Sequence, residues 1–192
     1  MNGIQLLEMF RLSKTISVKD GEILLMQTPV CFALTRLLAN LQKGLIESMG
    51  FEKAYFQLYE TNKVGSKAYN VSFIQKEKFT DKRKVLDWQV NIVTLGGWGK
   101  FEAIFLDLKE NRLRIKFNNS PFPKIYGKSV YPVCVIAAGF TAGGASANFG
   151  VDVDALETMC VACGDPFCEI VFDSPKKIAE MRTNLWKKLG LV

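Results

Sequence analysis

The first half of the chain shows the three-to-four-residue spacing of apolar positions that is typical of amphipathic helices. Its clearest stretch lies between Thr28-Pro29, a dipeptide that favours a helix start, and Gly50, a residue that favours a helix end. The apolar positions between them are Leu34, Leu37, Leu38, Leu41 and Leu45. We therefore expect helices over Val30–Met49, over 51–75 and, in a shorter segment, from Trp88 to about Thr94.

In the middle of the chain the apolar period changes to two. Leu113, Ile115 and Phe117 alternate with polar residues, which indicates a strand with one buried face. Further strands are expected at 21–27, 101–108, 151–161 and 167–172, a loop at 120–127, and helices at 130–148 and after Ser174-Pro175. This order predicts an α+β fold in which helices pack against an antiparallel sheet.

No internal repeat or linker divides the chain of 192 residues. We expect a single domain over residues 21–192, preceded by an N-terminal arm at residues 1–20. The segment Ser129–Val151 carries no charge, but its glycines and its Ser, Thr and Asn side chains make it too polar for a membrane-spanning helix. The first residues also lack the pattern of a secretory signal. These features favour a cytoplasmic protein whose cysteines are thiols or metal ligands.

The composition excludes several kinds of chemistry. The sequence contains no histidine, which excludes Ser-His-Asp triads, Cys-His dyads and H-E-x-x-H zinc proteases. The net charge of +6 would suit an acidic partner. However, the basic run at 82–84 and the basic C-terminal helix come without a base-stacking or groove-reading motif. We interpret them as solvated helix faces and expect no nucleic-acid partner.

Three of the five cysteines, Cys160, Cys163 and Cys168, fall within nine residues. A turn around Gly164-Asp165 would bring Cys160 and Cys168 onto adjacent strands. Such a thiolate cluster suits Zn²⁺, which takes four tetrahedral ligands, and Cys134 is the other cysteine that follows the helical half. The alternative is a set of buried apolar thiols. The spacing alone leaves both interpretations open.

The stretch from Val130 to Phe172 resembles the 4-vinyl reductase domain family, whose fold is related to subunits of the TRAPP vesicle-tethering complex. The residues that carry the resemblance are Ala138-Gly139-Phe140, Glu157-x-x-Cys160 and Gly164-Asp165-Pro166-x-Cys168-Glu169. Phenol-responsive bacterial regulators of this family hold zinc with a Cys, a Glu-x-x-Cys and a Cys eight positions later. The resemblance therefore implies zinc bound by Cys134, Glu157, Cys160 and Cys168. Cys163, which replaces an apolar residue of the relatives, is an alternative fourth ligand.

The residues predicted to line an apolar ligand pocket come from two sources. The aromatic side chains Trp88, Trp98, Phe101 and Phe105 offer apolar walls, although ordinary core packing also explains each of them singly. The resemblance adds Ala138, Gly144 and Ala155, at positions that are aromatic in the phenol-responsive regulators. Those regulators also hold the phenol hydroxyl with a histidine. The smaller residues and the lack of histidine imply a differently shaped cavity and a ligand other than phenol.

These features favour a zinc-stabilised domain that binds a small hydrophobic or aromatic molecule, as a sensor or carrier, over an enzyme. Three thiolates and a carboxylate would leave no position for the water that catalytic zinc needs. The family name suggests a second hypothesis, the reduction or handling of a tetrapyrrole vinyl group. The related TRAPP fold suggests a third, an acyl-binding interaction platform. The resemblance and apolar helices such as Val30–Met49 also predict a homodimer.

Overall fold

The computed structural model describes residues 16–25 and 28–191, and the chain forms two compact units that divide between Leu34 and Thr35. The first unit contains an antiparallel sheet of three strands, β1 (Ile16–Lys19), β2 (Glu22–Leu25) and β3 (Thr28–Val30). Asp20 and Gly21 join β1 to β2 with φ angles of 51° and 86°, as a two-residue hairpin turn requires. Residues 1–15, most of the predicted N-terminal arm, lie outside the described residues.

The second unit combines six helices with an antiparallel sheet. The helices are α1 (Thr35–Met49), α2 (Phe51–Lys76), α3 (Lys82–Leu95), α4 (Pro121–Tyr126), α5 (Val135–Phe149) and α6 (Pro175–Leu189). The strands are β4 (Lys100–Asp107), β5 (Arg112–Asn118), β6 (Asp154–Met159) and β7 (Cys168–Asp173). They lie in the order β4-β5-β7-β6. The predicted α+β fold is confirmed.

The start of the first helix was predicted wrongly. Thr28 and Pro29 do not begin a helix: Thr28 pairs with Leu25 in the β2–β3 hairpin, and α1 begins only at Thr35. A Thr-Pro pair satisfies the local requirements of a helix start, but such local preferences are weak, and pairing with a neighbouring strand overrides them. The predicted helix end is correct, because α1 ends at Met49, directly before Gly50.

The segment 120–127, predicted as a loop because of its two prolines, contains the short helix α4. Pro121 occupies the first helical position, where the missing N–H of proline costs nothing. Phe122 and Tyr126, which are four residues apart and therefore on one helix face, are both buried in the core. Their burial stabilises a helix too short to be stable alone.

Helix α5 lies in the interior of the second unit, and nearly all of its residues are buried. Gly139 and Gly143 face the main chain of α2: a Cβ atom at either position would collide with the carbonyl oxygen of Tyr59 or of Lys63. The small residues predicted to permit close packing therefore do so. None of the described helices, α5 included, has the length and apolar character needed to cross a membrane.

The same part of α2 is tied to the start of β6 by polar side chains. The Nζ atom of Lys63, a buried residue, lies 2.6 Å from Asp154 Oδ1 and 3.2 Å from Asp152 Oδ2. The hydroxyl of Tyr59 donates to Asp154 Oδ1 at 3.1 Å and accepts from the N–H of Ala155 at 2.7 Å. Each of these buried polar groups thus has a partner, as stability requires. The contacts fix α2 relative to both α5 and the sheet.

We expect Gly143→Ala to destabilise the second unit by about 2 kcal/mol or more, because the added methyl group would push apart two tightly packed backbones. The free energy of unfolding in urea measures the effect. Gly65→Ala is the matched control, since this α2 position has no neighbouring atom within 4 Å of an added Cβ. The control should be as stable as the natural sequence or slightly more stable. Equal stabilities for the two variants would contradict the close approach of α5 to α2.

Candidate functional site

Four acidic side chains meet at one end of α5. Cys134 directly precedes the helix, Glu157 lies on β6, Cys160 follows that strand, and Cys168 begins β7. All four are buried, and their ligand atoms lie within 4.8 Å of one another. The sequence had predicted this set of residues as metal ligands, and the fold brings them together.

The loop between β6 and β7 holds Cys160 and Cys168 in place through its own hydrogen bonds. The carbonyl of Cys160 accepts from the N–H groups of Cys163 and Asp165, at 2.9 and 3.2 Å. Asp165 in turn accepts from the N–H of Cys160 at 2.7 Å. Gly164 has a φ of 98°, a left-handed conformation that glycine adopts without strain. The Gly-Asp pair therefore closes a turn that positions two thiols.

Glu157 has one carboxylate oxygen engaged and one free. Its Oε2 atom accepts from the N–H of Cys134 at 2.6 Å, which ties β6 to the start of α5. Its Oε1 atom is buried and has no hydrogen-bond partner among the described residues. A buried carboxylate oxygen without a partner is costly, and a cation bound beside the three thiols would provide one.

The geometry and the protonation of the cluster fit a metal ion. The Sγ atoms of Cys134 and Cys168 are 4.0 Å apart, near the separation of about 3.8 Å that tetrahedral Zn–S bonds of about 2.3 Å impose. Burial raises the pKa values of the Glu157 carboxyl and of the Cys134 thiol, whereas hydrogen bonds from the Cys134 and Cys168 thiols lower the pKa of Cys160. A divalent cation would replace protons that these buried groups otherwise hold.

Cys163, the alternative ligand, takes a different position from the four clustered residues. It ends a single 3-10 turn, Val161–Cys163, and its side chain is exposed. It is not a member of the group whose ligand atoms lie within 4.8 Å of one another. The N–H of Val161, two residues earlier, points to Cys168 and donates to its Sγ atom at 3.4 Å.

A cavity lies between α2, α3, α5 and the β4–β5 face of the sheet. It encloses about 450 Å³ that no protein atom occupies, part of which is open to solvent, a size within the range of small-molecule sites. Its lining residues are Tyr69, Asn70, Leu86, Trp88, Gln89, Val90, Ile92, Val93, Phe101, Leu113, Ile115, Phe140, Thr141, Gly144 and Ala145. Most of these side chains are apolar, and none carries a charge.

The residues predicted for a ligand pocket are divided among several places. Trp88 and Gly144 line the cavity just described, as does Phe101. Trp98 lines a smaller space beside Cys134, and Ala138 lines another beside Glu157. Phe105 lies on the edge strand β4 and is 44% exposed, whereas Ala155 is fully buried in the core.

Residues 113–173 match the family model of the vinyl-4-reductase domain. The resemblance inferred from the sequence to the 4-vinyl reductase domain family is confirmed. No curated protein sequence matches the chain. The matched segment runs from β5 to β7 and contains all four clustered acidic residues. It contributes only part of the cavity wall, because the lining residues of α2, α3 and β4 precede it.

Solved structures share the fold over a longer part of the chain. The phenol-responsive sensory domain of the transcription activator PoxR, solved with phenol, is 18% identical, with a TM-score of 0.78 over 95% of this chain and 98% of that one. Trafficking protein particle complex subunit 3 from Naegleria fowleri, covalently bound to palmitic acid, is 15% identical, with a TM-score of 0.53 over 72% and 93%. A vinyl-4-reductase family protein from Methanocaldococcus jannaschii is 19% identical, with a TM-score of 0.46 over 72% and 90%.

Proposed function

We propose that this chain is a zinc-stabilised domain that binds an uncharged small molecule in the cavity between α2, α3 and α5, as a sensor or carrier. The observation that carries the proposal is the cavity itself, whose walls are largely apolar and without charge. Transfer of a charged ligand into such surroundings would cost much free energy, whereas an apolar ligand would gain by leaving water. The likeness in fold to a sensory domain solved with phenol supports a small ligand.

Zinc is the metal that the donor set favours. Three thiolates and one carboxylate oxygen make a soft site, whereas magnesium and calcium prefer shells composed of oxygen atoms. Four protein ligands also complete a tetrahedral shell, so the ion would be structural and would contribute its binding free energy to folding. The free thiols fit a reducing compartment such as the cytoplasm.

The metal would fix one wall of the cavity. Cys134 directly precedes α5, and the same helix contributes Phe140, Thr141, Gly144 and Ala145 to the cavity lining. Because a helix is stiff over four turns, its position at the cavity depends on how its first residue is held. Zinc would join that residue to β6 and β7 and so support the shape of the binding site.

We also propose that the chain forms a homodimer. On α1, Leu37 and Leu41 lie one turn apart and are 61% and 54% exposed. A second copy of the chain would remove this apolar face from water, and twofold symmetric dimers are the commonest oligomers.

The ligand set is tested by metal analysis of purified variants. We expect the natural sequence and Cys163→Ala each to hold one equivalent of zinc and to have similar stability. Cys168→Ala should lose the metal and several kcal/mol of stability, because it removes one bond of a closed shell. If Cys163→Ala loses zinc while Glu157→Ala keeps it, Cys163 is the fourth ligand. Absence of zinc from protein purified without chelator would contradict both ligand sets.

The cavity is tested with isopropylbenzene and benzoate, two ring-sized probes of which only the second is charged. Calorimetry should detect binding of isopropylbenzene alone. Ala145→Leu, which adds bulk to the cavity wall, should weaken this binding at least tenfold. Ala147→Leu, on the same helix but outside the cavity lining, is the control and should bind like the natural sequence. Equal loss in both variants, or preferred binding of benzoate, would contradict the proposed site.

Sedimentation tests the dimer. At micromolar concentration we expect a species of twice the 21.5 kDa chain mass. Leu41→Glu should shift it to the monomer, because the substitution introduces a charge into the apolar face. Asn40→Glu, an exposed neighbour on α1, should leave the dimer intact. A monomeric natural sequence would show that the dimer proposal is wrong.

A further inference from the structure

One polar atom of the cavity lacks a partner. Tyr69 lines the cavity, and its hydroxyl oxygen is buried without a hydrogen-bond partner in the described part of the chain. Buried hydroxyl groups are almost always hydrogen-bonded, because they lose their bonds to water on burial. An unpaired hydroxyl in the wall of a binding cavity therefore indicates a polar atom of the missing ligand.

The other polar side chains of the cavity bond to the protein itself. Gln89 Nε2 donates to Asn70 Oδ1 and to the carbonyl of Gly144, both at 2.9 Å. Asn70 Nδ2 donates to the carbonyl of Ser66 at 2.8 Å. Thr141 Oγ1 donates to the carbonyl of Ala137 at 2.7 Å. These donors are committed, and the hydroxyl of Tyr69 is left.

The ring of Tyr69 is held in place by its neighbours. It stacks on Phe73, one turn later on α2, with ring centroids 6.5 Å apart, and Phe73 stacks on Trp88 of α3 at 3.7 Å. Stacked aromatic rings of this kind restrict each other's rotation. Burial also raises the pKa of Tyr69, so the phenol keeps its proton at neutral pH and is able to donate it in a hydrogen bond.

We propose that the Tyr69 hydroxyl donates a hydrogen bond to one acceptor oxygen of the ligand, which makes the cavity a site for uncharged, mainly apolar molecules that carry a single carbonyl or similar acceptor group. This inference rests on the proposed function. A carbonyl oxygen loses its bonds to water when it enters an apolar cavity, and a donor inside the cavity compensates for that loss. The single free donor limits the compensation to one such group.

The test compares acetophenone with isopropylbenzene, which has a methyl group in place of the carbonyl oxygen. In calorimetric titrations, Tyr69→Phe should weaken acetophenone binding about tenfold and leave isopropylbenzene binding unchanged. Tyr131→Phe removes a tyrosine hydroxyl outside the cavity lining and should change neither affinity. If Tyr69→Phe alters the two affinities equally, or alters neither, the inference is overturned while the proposed function stands.

The infrared carbonyl band of bound acetophenone gives a second measurement, obtained as the difference between ¹²C- and ¹³C-labelled ligand. With the natural sequence the band should lie at lower frequency than in hexane, because a donated hydrogen bond weakens the C=O bond. This measurement needs no variant, so it remains decisive if Tyr69→Phe fails to fold. A band at the hexane frequency would overturn the inference. Failure of both probes to bind the natural sequence would instead overturn the proposed function, and the inference with it.

Discussion

The contact between the backbones of α2 and α5 is the constraint on which the rest of the second unit depends. Gly139 and Gly143 allow the two helices to approach so closely that an added methyl group would meet main-chain atoms. Lys63 and Tyr59, whose carbonyls lie at this contact, also bond to the acidic start of β6. The position of α5 is therefore set from two sides, by α2 through the glycines and by the sheet through these side chains.

The acidic cluster extends this constraint to the first residue of α5. The N–H of Cys134 donates to Glu157, and its thiol lies beside that of Cys168. One end of the helix is thus bound to two strands, while its middle forms a wall of the cavity. A structural metal, as proposed, and a ligand cavity are then two uses of one rigid helix, and loss of the metal would disturb the cavity without any direct contact between them.

The acidic cluster could be predicted from the sequence because its signal is local. Glu157, Cys160 and Cys168 fall within one hairpin, and a resemblance to a known family supplied Cys134. The cavity could not be predicted in the same way. Its walls come from four separate elements, and Tyr69 has no feature in the sequence that distinguishes it from any other helical tyrosine. The spacing of Phe73 after Tyr69 indicates only a shared helix face. Whether a face meets core or cavity depends on the packing of distant segments.

The two sides of the cavity differ in what holds them. The α5 side is fixed by glycine packing, by ion pairs and by the acidic cluster. The α3 side contacts it through the amide of Gln89, which bonds to Gly144, and through the stacking of Trp88 on Phe73. A ligand that enters between them therefore meets a rigid wall and a wall held by fewer contacts. In a sensor, the displacement that reports occupancy would then be that of α3 relative to α2 and α5.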